Sequence, residues 1–490
     1  MLIGDIADWI VDHPGNWSET ALERARFAIA DTVGCIIAAS DNDVVAKTAK
    51  ASRADGSGKA TSVFGGLECS ATTAAFVNGT AAHVLEIDDN FYPALTHASA
   101  QAVPALFALA QDRDCSGEQV LSAYLYSLEI QAALAGAMER NHTLAGWHAT
   151  GTLSTIATAG AAAHMLGLPR AGIANAMSIS CSMAAGSKAQ FGTMTKSLHC
   201  GFAARNSVEA ALLAAAGIEG SADALDGPYG FLVMHNGSEM PNYENVLERL
   251  HTSRTVETHG LAPKRHACCA SAHKGLDAVE DLKNSHGFEL VDIDRIDVSV
   301  GTTNRQNLRY DRPRNGMEAR FSLPYAMIVF LSGGRFWLDD LEDDAVFRPG
   351  IQTQLGKVHV HVLNVDEKSY PITQPLEHLV TVRLKQGQEL SARRAYAKGT
   401  IADPFTEGDY LEKFLNCCSG RLGETETETL WSSLRTIDRA PTLEGIIGAS
   451  SPRDETALTK RHCFPGSCRK RSGAAICAAG RHRASCARPD

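Results

Sequence analysis

The chain has 490 residues, of which 44% are hydrophobic and 21% are charged, and this composition is typical of a globular protein. Single hydrophobic cores rarely extend beyond about 250 to 300 residues, so we expect two or three domains. The net charge of −10 argues against a nucleic-acid partner or an anionic membrane surface, because both require a basic face. A small anionic substrate remains compatible with this charge, since it needs only a local positive pocket.

The start of the chain and its cysteines indicate a cytoplasmic protein. The first residues, MLIGDIADWIVDHPGNW, include acidic side chains and lack the basic start of a secretory signal. No uninterrupted apolar stretch reaches about 18 residues, so we predict no membrane span. The 13 cysteines lack the spacing of a small disulfide-rich domain and fit reduced thiols.

Helical periodicity dominates residues 1–255. In SETALERARFAIADTVGCIIAAS, apolar residues recur every three or four positions, and Thr20 and Glu23 fit a capping box at the helix start. Similar patterns recur in EQVLSAYLYSLEIQAALAGAM and NSVEAALLAAAG. The many small residues would let helices approach closely. We predict that this part of the chain is a helical domain.

The periodicity changes in residues 256–398. RIDVSVGT and KVHVHVL alternate apolar and polar residues, and HLVTVRLKQGQELSARR predicts a hairpin with its turn near Gly387. SLPYAMIVFLSGG predicts a helix that ends at Gly333 and Gly334. We therefore predict a smaller α+β domain here. Residues 399–448 return to helical periodicity and are predicted to rejoin the first domain, which makes the fold class mainly α.

Residues 449–490 form a basic, cysteine-containing tail. From Ser451 onward there are nine Lys or Arg residues, three Asp or Glu residues and no helical or strand period. The four cysteines (Cys463, Cys468, Cys477 and Cys486) lack the paired spacing of zinc sites. We predict a disordered tail and assign it no function.

Four polar clusters interrupt otherwise apolar sequence, and their residue types suit proton transfer. They are HVLEIDDNFYPALTH, GWHATG, TKSLHCGFAARN and KRHACCASAHKGLDA. Taken singly, each has a structural explanation: Asp88 and Asp89 as helix caps, His148 as a core histidine, and Lys196 as a surface lysine. Together they supply carboxylates, imidazoles and amines. Removal of a proton α to a carboxylate requires such a base, and cationic groups where the enediolate charge develops.

Other motifs are interpreted as chance matches. Residues 271–274 spell S-x-x-K, as in serine β-lactamases, but the companion motifs are in the wrong order or missing. No H-E-x-x-H motif and no dinucleotide fingerprint occurs. We predict no metal and no cofactor.

The four clusters, in this order and followed by FSLPYA, resemble the MmgE/PrpD family from about residue 5 to residue 445. The resemblance implies a large helical domain built from both chain ends, a smaller α+β lid domain, a homodimer, and an active site between the domains. It implies five catalytic residues: His97, His148, Lys196, His273 and Tyr325. Substrate-binding residues would be Glu86, Asp88, Asp89 and Asn90, together with His199, which we expect to support Lys196.

The family acts on small polycarboxylates, and its members differ in the step that follows proton removal. Glu86 and Asn90 depart from the aspartate and threonine of the decarboxylases, and NFYPALTH is one residue longer than the corresponding loop. We therefore predict epimerisation of iminodisuccinate. The alternatives are dehydration of 2-methylcitrate, decarboxylation of the cis-aconitate type, and a catalytically silent relative that binds an anion.

Overall fold

The computed structural model describes residues 1–52, 58–63, 66–252 and 254–448. These residues all belong to one compact unit. The predicted tail at 449–490 lies outside the described residues. None of the helices in the described ranges combines the length and apolar character that crossing a membrane requires.

The first half of the chain is built from helices, as the periodicity predicts. Its helices are α1 (Leu2–Asp12), α2 (Glu19–Ala38), α3 (Asp43–Ala51), α4 (Ala71–Val84), α5 (Ala98–Arg113), α6 (Gly117–Met138), α7 (Asn141–Leu144), α8 (Ala149–Met165), α9 (Arg170–Cys181), α10 (Met194–Ala215), α11 (Phe231–His235), α12 (Tyr243–Thr252) and α13 (Thr255–His259). A two-stranded ribbon precedes α4 and consists of β1 (Ala60–Thr61) and β2 (Glu68–Cys69).

Helix α2 begins two residues earlier than the predicted capping box. Ser18 is the N-cap, and its side chain accepts a hydrogen bond from the backbone N–H of Ala21. The capping box at Thr20 and Glu23 is therefore wrong, because the hydroxyl of Ser18 satisfies the first free N–H group and both predicted residues lie inside the helix.

Helices α4 and α10 pack unusually closely because glycines face each other. A Cβ atom added at Gly79 would lie 3.0 Å from the Cα atom of Gly201 and 3.0 Å from the carbonyl oxygen of Cys200. A Cβ atom at Gly201 would in turn lie 2.5 Å from the carbonyl oxygen of Phe76. Only glycine permits this approach, which brings the end of α4 to the start of α10.

The second half of the chain contains the predicted α+β part. Its sheet has four strands: β3 (Ile293–Val300), β4 (Val358–Val362), β5 (His378–Leu384) and β6 (Glu389–Arg394). Their order in the sheet is β4-β3-β5-β6. Strand β3 is parallel to β4 and antiparallel to β5, and β5 and β6 form the hairpin. The hairpin turn contains Gly387 at φ +89°, a conformation that glycine adopts without strain. The remaining helices are α14 (His273–His286), α15 (Thr302–Asn307), α16 (Gly316–Ala319), α17 (Leu323–Gly333), α18 (Asp343–Val346) and α19 (Pro349–Gln352).

Helices α14 and α17 pack on the sheet and on each other. Helix α17 ends as predicted, with Gly334 in the left-handed region at φ +74°. The mainly α fold with a smaller α+β part is thereby confirmed.

The chain then returns to the helical part with α20 (Glu407–Cys418), α21 (Glu424–Arg435) and α22 (Glu444–Gly448). Tyr410 of α20 stacks on Phe27 of α2, with ring centroids 4.5 Å apart. The buried ammonium group of Lys413 lies 2.8 Å from a carboxylate oxygen of Asp31 and also donates to the carbonyl oxygen of Ile87. These contacts join α20 to α2 and to the loop after α4, and the predicted domain division, including the return segment 399–448, stays a prediction.

We expect Lys413→Met to lower the free energy of unfolding by about 3–5 kcal/mol, because it leaves the carboxylate of Asp31 buried without a counter-charge. The double variant Asp31→Leu/Lys413→Met removes both charges and should recover most of that loss. Urea denaturation at pH 8 measures both effects. The control is Lys47→Met on an exposed side chain. Equal stability of Lys413→Met and the wild type would contradict the expectation.

Candidate active site

Three helices begin at one cavity between the helical part and the α+β part. His97 is the N-cap residue of α5, His148 is the N-cap residue of α8, and Lys196 lies in the first turn of α10. All three line the cavity. The free N–H groups and the positive dipole ends of these helices favour an anion at this point.

A buried ion-pair network lies directly behind the cavity wall. Glu86 pairs with the ammonium groups of Lys196 and Lys264, the latter at 3.1 Å. Asp88 pairs with Lys264 at 3.6 Å and accepts a hydrogen bond from Nδ1 of His83 at 2.9 Å. Nδ1 of His97 lies 3.0 Å from the same carboxylate and is hydrogen-bonded to the carbonyl oxygen of Asp89 at 3.1 Å. Two carboxylates thus balance two ammonium groups, so the network carries no net charge when its imidazoles are neutral.

The hydrogen bonds assign the imidazole tautomers in this network. An ionised carboxylate and a backbone carbonyl only accept, so Nδ1 of His83 carries its proton toward Asp88, and Nδ1 of His97 carries its proton toward the carbonyl oxygen of Asp89. Nε2 of His83 then accepts from Lys196, whose Nζ lies 2.8 Å away. In the neutral ring of His97, Nε2 carries no proton and is the nitrogen that can accept one.

The loop after α4 adopts a strained backbone that aims Glu86 into the network. Glu86 has φ +58°, in the left-handed region that costs a side-chain-bearing residue about 1–2 kcal/mol. A pair of backbone hydrogen bonds between Asn90 and Ala262, both 2.9 Å long, ties this loop to the segment that carries Lys264. The ion pairs and this bridge hold the conformation.

Burial and neighbouring charges shift the pKa values of the cluster. Burial lowers the pKa of His97 to about 3, although Asp88 opposes this shift, and lowers the pKa of His199 to about 4. Burial, followed by the charges of His199 and Lys196, also lowers the pKa of His148. The imidazoles of His97, His148 and His199 are therefore neutral at pH 7.

Burial alone would raise the pKa values of the network carboxylates, but the neighbouring ammonium groups and the imidazole of His83 outweigh it. Lys196 and Lys264 hold the pKa of Glu86 well below its usual value, and His83 and Lys264 do the same for Asp88. Asp89 pairs with no cation in the described part of the chain. Burial raises its pKa to about 7, and its carboxylate accepts from the hydroxyl of Ser99.

The cavity wall is positively charged. Four cationic side chains line it, namely Arg140, Lys188, Lys196 and Lys274, and no Asp or Glu is found among its described lining residues. Uncharged polar groups from the α+β part, including Ser271, Thr303 and Asn307, complete the wall. This arrangement is suited to a small polyanion.

The structure brings some predicted site residues to the cavity and places others behind it. His97, His148, Lys196 and Asn90 line the wall. Glu86 and Asp88 are buried in the network and hold the lining residues, and Asp89 is buried beside Ser99. His199 supports His148 more directly than it supports Lys196, because the Nδ1 atoms of His199 and His148 are 2.9 Å apart.

The structure does not bring His273 and Tyr325 to the cavity wall. His273 faces the interior, where its ring packs edge-on against His266 at 5.3 Å. Its neighbour Lys274 lines the cavity instead, since successive helical residues point about 100° apart. The hydroxyl of Tyr325 donates to the carbonyl oxygen of Asp340 at 2.6 Å. Their predicted catalytic roles stay predictions without support from position.

Sequence reasoning missed His83 and Lys264 in the network and Arg140, Lys188 and Lys274 in the wall. His83 and Glu86 have helical i, i+3 spacing inside the first polar cluster, and this signal could have identified the pair. The S-x-x-K match was discarded, yet Ser271 and Lys274 both line the cavity.

Two overlapping groups of side chains have the spacing of metal ligands. The candidate ligand atoms of His83, His97 and His148 lie within 4.8 Å of one another, as do those of His83, Glu86 and Asp88. In both groups a cation already occupies the position: Lys196 donates to Nε2 of His83 and pairs with Glu86. The ammonium groups therefore compete with a metal ion for these ligand atoms.

The fold and the site define a class of protein in which a mainly helical part and a smaller α+β part enclose a positively charged, imidazole-lined cavity. The chain belongs to the MmgE/PrpD family. Residues 4–244 match the MmgE/PrpD N-terminal domain, and residues 266–438 match the MmgE/PrpD C-terminal domain. The resemblance predicted from the sequence motifs is confirmed.

Several relatives are cis-aconitate decarboxylases. The human enzyme is 28% identical over 436 residues, which cover 86% of this chain and 89% of the relative. The enzyme of Aspergillus terreus is 28% identical over 360 residues, which cover 69% of this chain and 73% of the relative. These relatives are lyases and confirm the prediction of an enzyme of this family, with the lyase option better supported than the epimerase.

We expect acidification from pH 7.5 to 5.5 to lower the free energy of unfolding. His97, His148 and His199 stay neutral in the folded protein but take up protons when unfolded below about pH 6.5, so their contribution is present above that pH and lost below it. Asp89 acts in the opposite direction, because its raised pKa lets the folded state bind a proton first.

The variant His199→Asn should reduce this acid-induced loss by about 1 kcal/mol, measured by urea denaturation at both pH values. The matched control His286→Asn changes an exposed histidine at the end of α14 and should leave the loss unchanged. An identical pH dependence of His199→Asn and the wild type would show that His199 is not held neutral by the fold.

Proposed function

We propose that the chain is a lyase that decarboxylates a small unsaturated polycarboxylate of the cis-aconitate type, without a metal or cofactor. The observation that carries this proposal is the cavity wall, which combines four cations with the neutral imidazoles of His97 and His148 and with no carboxylate among its described residues. The cis-aconitate decarboxylase relatives indicate the substrate class. A homodimer and a cytoplasmic location, expected from the sequence, belong to the same proposal.

The proposed reaction breaks one carbon–carbon bond and forms one carbon–hydrogen bond. The carboxylate on the saturated carbon leaves as carbon dioxide, and the electron pair of the broken bond moves through the double bond to a conjugated carboxylate. An enediolate results. Protonation of its α carbon gives an unsaturated dicarboxylate with a shifted double bond. The enzyme must therefore stabilise negative charge on a carboxylate and then donate a proton.

Lys196 is the proposed group that stabilises the enediolate. Its ammonium group lies 5.0 Å from the ring centroid of Phe191 and 5.1 Å from that of Phe321, in a site shielded from water. A cation fixed in such surroundings attracts developing negative charge more strongly than a solvated one. Glu86 and His83 hold the ammonium group in place.

His97 and His148 are the proposed proton donors. Their lowered pKa values make both neutral at pH 7, but a bound polyanion favours the protonated imidazole, since opposite charges close together raise its pKa. Their ring centroids are 6.0 Å apart, so both can reach one small substrate. Substrate binding should therefore be accompanied by proton uptake from solvent.

The geometry favours this lyase over the epimerase predicted from the sequence. Epimerisation requires acid–base groups on two faces of one carbon atom. Two of the five predicted catalytic residues, His273 and Tyr325, do not line the cavity. Glu86, one of the departures that favoured an epimerase, is buried behind Lys196 and does not line the cavity either.

The reaction class can be tested by incubating the protein in D2O with cis-aconitate, 2-methylcitrate or iminodisuccinate and following each by NMR. We expect carbon dioxide release from cis-aconitate and one deuterium on the α carbon of the product. Change of configuration in iminodisuccinate without carbon dioxide release would establish the epimerase instead. Loss of water from 2-methylcitrate alone would establish a dehydratase, and no turnover of any substrate would identify a silent relative.

We expect Lys196→Met to lower kcat by at least about 100-fold, because the enediolate loses its nearest cation. The fold should persist, since Lys264 still pairs with Glu86. Circular dichroism checks the fold, and steady-state kinetics measures kcat. The control Lys47→Met makes the same substitution at an exposed position and should retain full activity. Undiminished kcat in Lys196→Met would remove this residue from the mechanism.

A further inference from the structure

Three of the four cations in the cavity wall have only neutral hydrogen-bond partners within the described part of the chain. Lys188 donates to the carbonyl oxygen of Thr143 at 3.3 Å and to the amide oxygen of Gln306 at 3.2 Å. Lys274 donates to the carbonyl oxygen of Leu376 at 2.8 Å. Arg140 donates to three carbonyl oxygens of the segment 370–374. All three side chains are buried.

The other buried lysines of the described chain are paired with carboxylates. Lys196 and Lys264 share Glu86, and Lys413 binds Asp31. Pairing with carboxylates outweighs burial and raises the pKa of Lys264 and of Lys413. At Lys188 and Lys274, burial prevails and lowers the pKa to about 8. Within the described chain, the fold thus maintains two desolvated amines with no carboxylate at ion-pair distance, an arrangement that a bound anion would stabilise.

These cations belong to one continuous part of the wall. Lys188 begins a short 3-10 turn, Lys188–Gln190, which is fixed beside His148 by the backbone bridge between Trp147 and Ser187. Its partner Gln306 precedes Asn307, whose amide donates to the hydroxyl of Ser271 at 3.1 Å. Ser271 lies three residues before Lys274, on the same side of the chain and in the same cavity.

Arg140 and Lys274 both bind the segment 370–376, and five of its residues (372–376) line the cavity. Arg140 uses its hydrogen bonds to hold this segment. Each lysine has one ammonium group with three donors, and the hydrogen bonds above use two of them at Lys188 and one at Lys274. Both lysines therefore keep donors for a ligand.

We propose that Lys188 and Lys274 form a second carboxylate-binding subsite, distinct from Lys196, which makes the enzyme selective for tricarboxylates over dicarboxylates. Glu86 and Asp88 neutralise Lys196 and Lys264, so the positive charges of the cavity that have no ion-pair partner in the described chain are those of Lys188, Lys274 and Arg140. A substrate with three carboxylates matches that charge, whereas a dicarboxylate leaves part of it unbalanced. The identity of the natural substrate rests on the proposed function, but the selectivity in binding does not.

The test compares two saturated, unreactive ligands by isothermal titration calorimetry. Propane-1,2,3-tricarboxylate and glutarate differ only in the central carboxylate. Lys188→Met and Lys274→Met should each weaken binding of the tricarboxylate by about tenfold or more and binding of glutarate by less than about threefold. Lys357→Met is the matched control, since Lys357 is half-buried, donates to the carbonyl oxygen of Leu290 and lies outside the cavity.

The same variants should be more resistant to heat than the wild type when no ligand is present, because each removes an uncompensated buried charge. The increase in Tm that the tricarboxylate causes should be smaller in both. This combination separates a binding role from a structural one, since loss of a structural contact would lower the Tm of the unliganded protein.

Equal weakening of both ligands, unchanged affinity for the tricarboxylate, or no binding of it to the wild type would overturn the subsite. The outcome is independent of the reaction class. If the wild type leaves cis-aconitate intact but the lysine variants lose their selectivity for the tricarboxylate, the subsite is supported and the decarboxylase is rejected. If the wild type decarboxylates cis-aconitate but the lysine variants keep that selectivity, the decarboxylase is supported and the subsite is rejected.

Discussion

The buried contact between Glu86, Asp88, Lys196 and Lys264 is the constraint on which the rest of the site depends. Charges removed from water are tolerated only when each has a partner, and removal of one partner leaves another charge unpaired. The four residues come from three separate stretches of chain, at the end of α4, the start of α10 and the segment before α14. Their mutual attraction therefore fixes these stretches relative to one another.

The neutrality of this network determines how its neighbours ionise. Since the two carboxylates are already matched by two ammonium groups, they have little capacity to hold a further proton on His97, and burial prevails. The close packing of α4 and α10 at Gly79 and Gly201 brings the residues of this network together. Without it, His83 and Lys196 could not lie within hydrogen-bond distance.

Features of the sequence with a local signal were predictable, and features that depend on packing were not. The helices, the hairpin at Gly387 and the end of α17 follow from periodicity and glycine placement. His97, His148 and Lys196 were identified through the polar clusters that resemble the MmgE/PrpD family, and each stands just before or within the first turn of an alanine-rich helix. His83 has only its i, i+3 spacing to Glu86 as a signal, and Lys264 acts through contacts between distant segments, which no spacing reveals. His273 was selected from the sequence instead of its neighbour Lys274. Successive residues of a helix point in directions about 100° apart, so Lys274 faces the cavity and His273 faces the interior.

The hydrogen bond from Lys413 to the carbonyl oxygen of Ile87 joins two residues that are 326 positions apart in the sequence. Ile87 lies in the loop that carries Glu86 and Asp88. During synthesis, α4 and α10 leave the ribosome long before α20 does, and domains generally fold as units as they emerge. This loop receives its support from α20 only near the end of translation. A nascent chain that stops short of residue 413 would therefore contain every residue of the cavity wall, but the buried carboxylate of Asp31 would lack its partner. Such a chain would be a target for chaperones rather than a partly active enzyme.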